Sequence, residues 1–113
     1  MRESFLEFKD YYDFVERYVS PTNVETWASM NTLCIFFEGV GVILRRKLVD
    51  MELVGDLFAA PVKLTWEKVK PLVKGLREQF DRPRIYGSFE YLFNEMQKFD
   101  VMKKREQQLA KNH

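Results

Sequence analysis

Apolar side chains recur in this chain at intervals of three and four residues, and they never alternate with polar ones over a strand-length run. That rhythm places them on one side of a helix and leaves no segment suited to a half-buried strand. The expectation is therefore an all-α domain, a five-helix bundle or array whose second helix is apolar and central.

The first helix is expected from about Glu3 to Val19, with Phe5, Phe8, Tyr12, Val15 and Val19 on one face and acids on the other. Ser20-Pro21-Thr22-Asn23 ends it, because the residue before Pro is biased away from the α region. The second runs from about Val24 to Lys47 and is the most apolar. Gly39 and Gly41 lie inside it, and close approach by a neighbouring helix would offset their cost of about 1 kcal/mol each. A short third helix is expected to start at Asp50, an N-cap, and to break at Ala59-Ala60-Pro61. The fourth spans about Val62 to Phe80, kinked or restarted at Pro71, and packs antiparallel to the second around Phe36, Phe37, Trp66 and Val69. After a loop from Asp81, Ser88 caps a fifth helix whose apolar face is Phe89, Leu92, Phe93, Met96, Phe99 and Met102.

The 113 residues suit one domain, read as residues 1–102, followed by a basic, frayed helical tail at 103–113. Ten Phe, five Tyr and two Trp supply a core without staples, and are expected to exceed what one small core can hide. The lone Cys34, inside Leu33-Cys34-Ile35-Phe36-Phe37, reads as a buried apolar side chain and fits a reducing, cytoplasmic setting. The start of the chain has no signal-peptide form. The stretch Leu33–Leu44 is too short and too polar to span a bilayer.

Formal charge is +1, unevenly spread: residues 1–60 carry 6 Lys and Arg against 10 Asp and Glu, residues 61–113 carry 12 against 7. The expectation is that an acidic first helix lies on the basic later ones; steering of a partner is the alternative. Arg45-Arg46-Lys47, Lys63/Lys68/Lys70/Lys74, Arg82/Arg84 and Lys103-Lys104-Arg105 read as solvated faces, since acids interleave them and the chain as a whole is barely basic.

The only His is the last residue, His113, which removes His-based triads and metal sites. Gly39-Val40-Gly41 lacks the third glycine and the preceding strand of a dinucleotide loop. No catalytic, metal or cofactor-binding residue emerges, and no cofactor is expected. The unusual polar positions are Asn31 and Glu38 in the apolar second helix. A carboxylate there must find a partner or a proton, and Arg77 or Tyr86 is the expected partner. With Trp66 these residues form the candidate polar core or pocket.

Several runs together carry a resemblance: Met30-Asn31-Thr32-Leu33-Cys34-Ile35-Phe36-Phe37-Glu38-Gly39-Val40-Gly41, then Leu48-Val49-Asp50, Trp66-Glu67-Lys68-Val69-Lys70-Pro71, Arg77, and Tyr86-Gly87-Ser88-Phe89-Glu90-Tyr91-Leu92. In this order they resemble an uncharacterised prokaryotic family known only as a domain of unknown function. The resemblance covers roughly two thirds of the chain, from Val24 to Phe99. It implies an N…FFE helix, a W…P helix, an Arg and a closing aromatic-Leu helix, and it brings no activity. Several members of that family carry an N-terminal membrane helix, where this chain begins with an acidic amphipathic segment.

Function is thus expected to be that of a non-enzymatic protein-interaction module, with a protein partner or self-association. The alternatives are a small-ligand sensor with a pocket near Asn31 and Glu38, and a nucleic-acid or membrane-surface binder acting through the basic C-terminal half without spanning a bilayer.

Overall fold

The computed structural model describes Asp10 and residues 24–111. The helix expected from Glu3 to Val19 lies, apart from Asp10, outside the described residues. Three helices make up the rest, and no strand occurs among the described residues: α1 (Val24–Arg45), α2 (Met51–Gln79) and α3 (Gly87–Lys111). The all-α expectation holds and the five-helix count does not.

The main correction is that the expected third and fourth helices are one. α2 runs through both Pro61 and Pro71 without a break. Each proline removes a backbone donor and costs about 3 kcal/mol in a helix interior. Against that, Val54, Val62, Trp66, Val69, Leu72 and Val73 keep one unbroken 3.6-residue register on either side of the prolines, and all are buried. Each contributes on the order of 1.5–3 kcal/mol by leaving water. A break at Pro61 would rotate half of that face away from its contacts, so packing overrides the local signal.

Local chemistry sets the helix ends. Asp50 is the N-cap of α2 as expected, its carboxylate accepting from the Leu53 amide at 2.7 Å. α1 closes with Lys47 in the left-handed region (φ 62°). The Lys47 amide donates to Leu44 O and the Leu48 amide to Ile43 O, a Schellman closure. α2 repeats the device with Asp81 (φ 52°), whose amide donates to Glu78 O while the Arg82 amide donates to Arg77 O. Glycine is the usual residue at such a position; here a lysine and an aspartate take it.

The second correction concerns the centre. α3, not the most apolar helix α1, is the central element: Phe89, Leu92 and Met96 are almost completely buried. α3 packs along α1 and along α2, while α1 and α2 touch each other far less. α2 and α3 run antiparallel, since Trp66 stacks on Phe89 and Phe93 whereas Gly55 faces the Phe99 ring. A Cβ at Gly55 would overlap that ring, so only glycine lets α2 approach there. The pairing expected between the second and fourth helices reduces to Phe36 and Phe37 meeting the Phe58 ring edge-on. Trp66 and Val69 are buried but Phe36 is half exposed. Beyond Phe99 no α3 residue is buried, yet the helix continues to Lys111, with Lys103 bonded to Glu52 of α2 at 2.9 Å.

Candidate functional site

The polar residues singled out in the sequence converge on one short stretch, residues 85–91, where the loop turns into α3. Tyr86 precedes the helix in the left-handed region (φ 53°), and its carbonyl accepts the first helical bond from the Glu90 amide. A bulky residue adopts that conformation only when its surroundings hold it there. Three of them do.

From α1, Asn31, Glu38, Gly41 and Arg45 recur at helical spacing on the side that meets α3. The Tyr86 hydroxyl donates to Asn31 Oδ1 at 3.1 Å. Glu38 Oε1 accepts from the Phe89 amide at 2.8 Å. Arg45 Nη2 donates to Ser88 Oγ at 2.6 Å, and its guanidinium lies 5.8 Å from the Tyr91 ring centre. Between them Gly41 lies flat against the Ser88 backbone, and a Cβ there would overlap the Ser88 carbonyl. From α2, Arg77 Nε donates to Ile85 O at 2.9 Å and Nη2 to Glu90 Oε1 at 2.8 Å, while the Trp66 ring lies 5.0 Å from Phe89.

Glu38 therefore has a different bonded partner from the one expected. Neither Arg77 nor Tyr86 bonds it; a main-chain amide does. The first amides of a helix have no intrahelical acceptor and sit at its positive end. A carboxylate lent by another helix satisfies both needs. Ser88, expected to cap the helix with its own side chain, lies one residue inside the helix start and is buried 2 % exposed, as the acceptor for Arg45. Sequence reasoning missed Arg45, Ser88 and Glu90 as parts of this clamp. For Arg45 the only signal was its place seven residues after Glu38.

Burial raises Tyr86 above the ordinary phenol pKa, with smaller pushes from Cys34 and Glu38 through space. Burial alone pushes the Cys34 thiol from 9.0 up to about 12, so it stays protonated and inert near neutrality. No described side-chain polar atom is buried without a partner. The clamp is a filled, mutually bonded cluster.

Trp66 and Arg77, with Lys70, Pro71, Lys74, Glu78, Glu90 and Asp10, border an open cleft of about 630 Å³, of which Asn31 and Glu38 are not part. Asp10, the one described residue of the acidic N-terminal segment, thus borders the same cleft as Lys70 and Lys74. The rim mixes both signs of charge, so it presents no single field to an anion or a cation.

A family model described as a domain of unknown function, DUF4760, matches residues 2–96. The chain belongs to this family. The match contains α1, α2, the whole clamp and α3 as far as Met96, so it reaches further toward the N-terminus than the motifs from Val24 onward. No curated protein and no solved structure matches the chain. Membership in DUF4760 supplies no chemistry, and the reading of function rests on the surfaces this chain exposes.

The main exposed feature is the other side of α1. Met30, Cys34, Phe37, Gly41 and Leu44 face inward and are buried. Ala28, Thr32, Ile35, Phe36, Gly39 and Ile43 also recur at helical spacing, and all are exposed. Ile35 is 58 % and Phe36 50 % exposed. The Phe36–Phe58 contact joins this side to α2, where Leu53, Leu57 and Leu64 are exposed too. The window Ala28–Arg45 is long and apolar enough to cross a membrane by length and composition, and a third of it is buried inside the domain; core helices of folded proteins and signal sequences pass the same test.

Proposed function

We propose that this domain is a non-catalytic helical interaction module whose contact surface is the outward side of α1, extended by Leu53, Leu57 and Leu64 of α2. The observation that carries the reading is that α1 is apolar on both sides while the described residues of its own chain cover only one. A helix that is apolar all round needs a second apolar neighbour. Exposed apolar patches of several hundred Å² mark contact surfaces on otherwise soluble folds. Another polypeptide fits this better than a bilayer interior. Glu38 and Arg45 fasten α1 to the start of α3, so α1 would have to break both bonds to enter lipid as a lone helix.

Site-specific photo-crosslinking tests the reading. A benzoylphenylalanine at position 35 gives a discrete adduct in cells, while the same group in place of the exposed Lys98, which among the described residues bonds Glu95 on its own helix, gives none. Absence of any adduct at position 35 beyond that of the control defeats it.

A further inference from the structure

We infer that the occupant of this face is a second copy of the same chain, apposed across a two-fold axis with Gly39 at the centre of the contact. This rests on the interaction-module reading and names its partner.

Three observations lead there. The first is charge. Between Ala28 and Leu44 the only ionisable side chain is Glu38, apart from the buried thiol of Cys34, and Glu38 is turned inward to the Phe89 amide. The α1 part of the face therefore carries no charge that repels its own image, nor any that would select a charged partner. A two-fold interface needs such self-complementarity, because each residue must tolerate itself or a near neighbour opposite.

The second is Gly39. A glycine in a helix interior costs about 1 kcal/mol relative to alanine. Gly41 has a reason within the chain, the Ser88 backbone. Among the described residues Gly39 has none: a Cβ added there meets nothing within 4 Å. It lies in the middle of the exposed stripe, one turn after Ile35 and one turn before Ile43. A helix backbone arriving from outside gives Gly39 the use that Ser88 gives Gly41.

The third is area. From their fractional exposures, Ile35, Phe36, Ile43, Leu53, Leu57 and Leu64 present on the order of 600 Å². That is the lower end of what each partner contributes to a stable interface, about 600–1,000 Å².

Sedimentation velocity on the full chain, from about 1 to about 300 µM, tests the inference. The expected result is a reversible monomer–dimer equilibrium. Gly39→Leu and Ile43→Glu should each weaken it at least about tenfold, with helical circular dichroism and the unfolding midpoint of the monomer retained. Lys98→Glu, off the face, should leave it unchanged. A chain monomeric throughout, or a dimer indifferent to both substitutions, overturns the inference. The cross-link at position 35 separates the two readings. A product of twice the chain mass supports both. A product of any other mass, with a monomeric chain, overturns the second copy and keeps the interaction module. Flotation of the monomer with anionic vesicles, abolished by Ile43→Glu, overturns both in favour of a lipid surface.

Discussion

The two sides of α1 use the same kinds of residue to different ends. Gly41 and Gly39 are two positions apart. Gly41 lies against the Ser88 backbone with no room for another atom, whereas no described residue comes within 4 Å of a Cβ at Gly39. Phe37 is buried and Phe36 is half exposed. The inner side also carries Asn31, Glu38 and Arg45, each bonded to a particular atom of the α3 start, while the outer side carries no polar anchor beyond Thr32, whose hydroxyl donates to its own helix at Ala28 O. The inner side is specified atom by atom. The outer side is specified only by shape and apolarity, so substitutions on the two sides should differ in kind.

The largest expected effect tests the inner side. Gly41→Leu should destabilise the fold by about 3 kcal/mol or more, because its side chain must displace backbone and not merely repack. Urea denaturation measures this. Loss of less than about 1 kcal/mol would mean that α1 and α3 are not in close contact.

The next effect comes from pH. The Cys34 thiol is protonated in both folded and unfolded chains below 9.0. Above 9.0 the unfolded chain ionises while the folded one resists until about 12. A raised folded pKa therefore contributes stability that is complete below 9.0 and is lost as pH rises toward 12. Tyr86, also raised, adds to the same slope above 10.0. Stability should fall by about 2 kcal/mol between pH 9 and pH 11, and Cys34→Ala should flatten the slope. An unchanged slope in that variant would remove the thiol from the account.

Glu38→Ala should cost about 1–2 kcal/mol by leaving the Phe89 amide without its acceptor, and Glu38→Gln should recover part of it. Amide hydrogen exchange at Phe89 should quicken in the alanine variant. If Glu38→Ala proves neutral in denaturation, the carboxylate is not the cap.

The smallest effect tests the outer side. Gly39→Ala should stabilise the monomer by about 0.5–1 kcal/mol through helix propensity alone, opposite in sign to any substitution at Gly41. A loss of stability there would show that the chain itself already fills that space.

The sequence made parts of this comparison readable. Periodicity located all three described helices, and Asp50 announced the start of α2 through its side-chain chemistry. Asn31 and Glu38 stood out as polar residues in an apolar helix, and Gly39 and Gly41 together suggested close approach. Which of the two glycines met it depended on where Ser88 lands, a tertiary fact with no local signature. Pro61 misled because its local penalty is visible in sequence, whereas the buried face from Val54 to Val73 that outweighs it requires knowing where α3 lies. The partner of Glu38 was hidden for a related reason. A main-chain amide is present at every residue, so no side-chain pattern can point to it. Lys47 and Asp81 likewise gave no warning that they would take positions usually left to glycine.

Glu38 and Gly39 are adjacent in the chain, one bonded inward and the other open outward. Pressure applied at the outer position would therefore pull on the Phe89 amide through a single peptide link. Arg77 grips the same turn from α2, so the strain would continue into the second helix. α2 and α3 are also joined at their far ends, where Gly55 meets the Phe99 ring and Lys103 bonds Glu52, so among the described residues α1 is the element hydrogen-bonded to its neighbours at this corner alone.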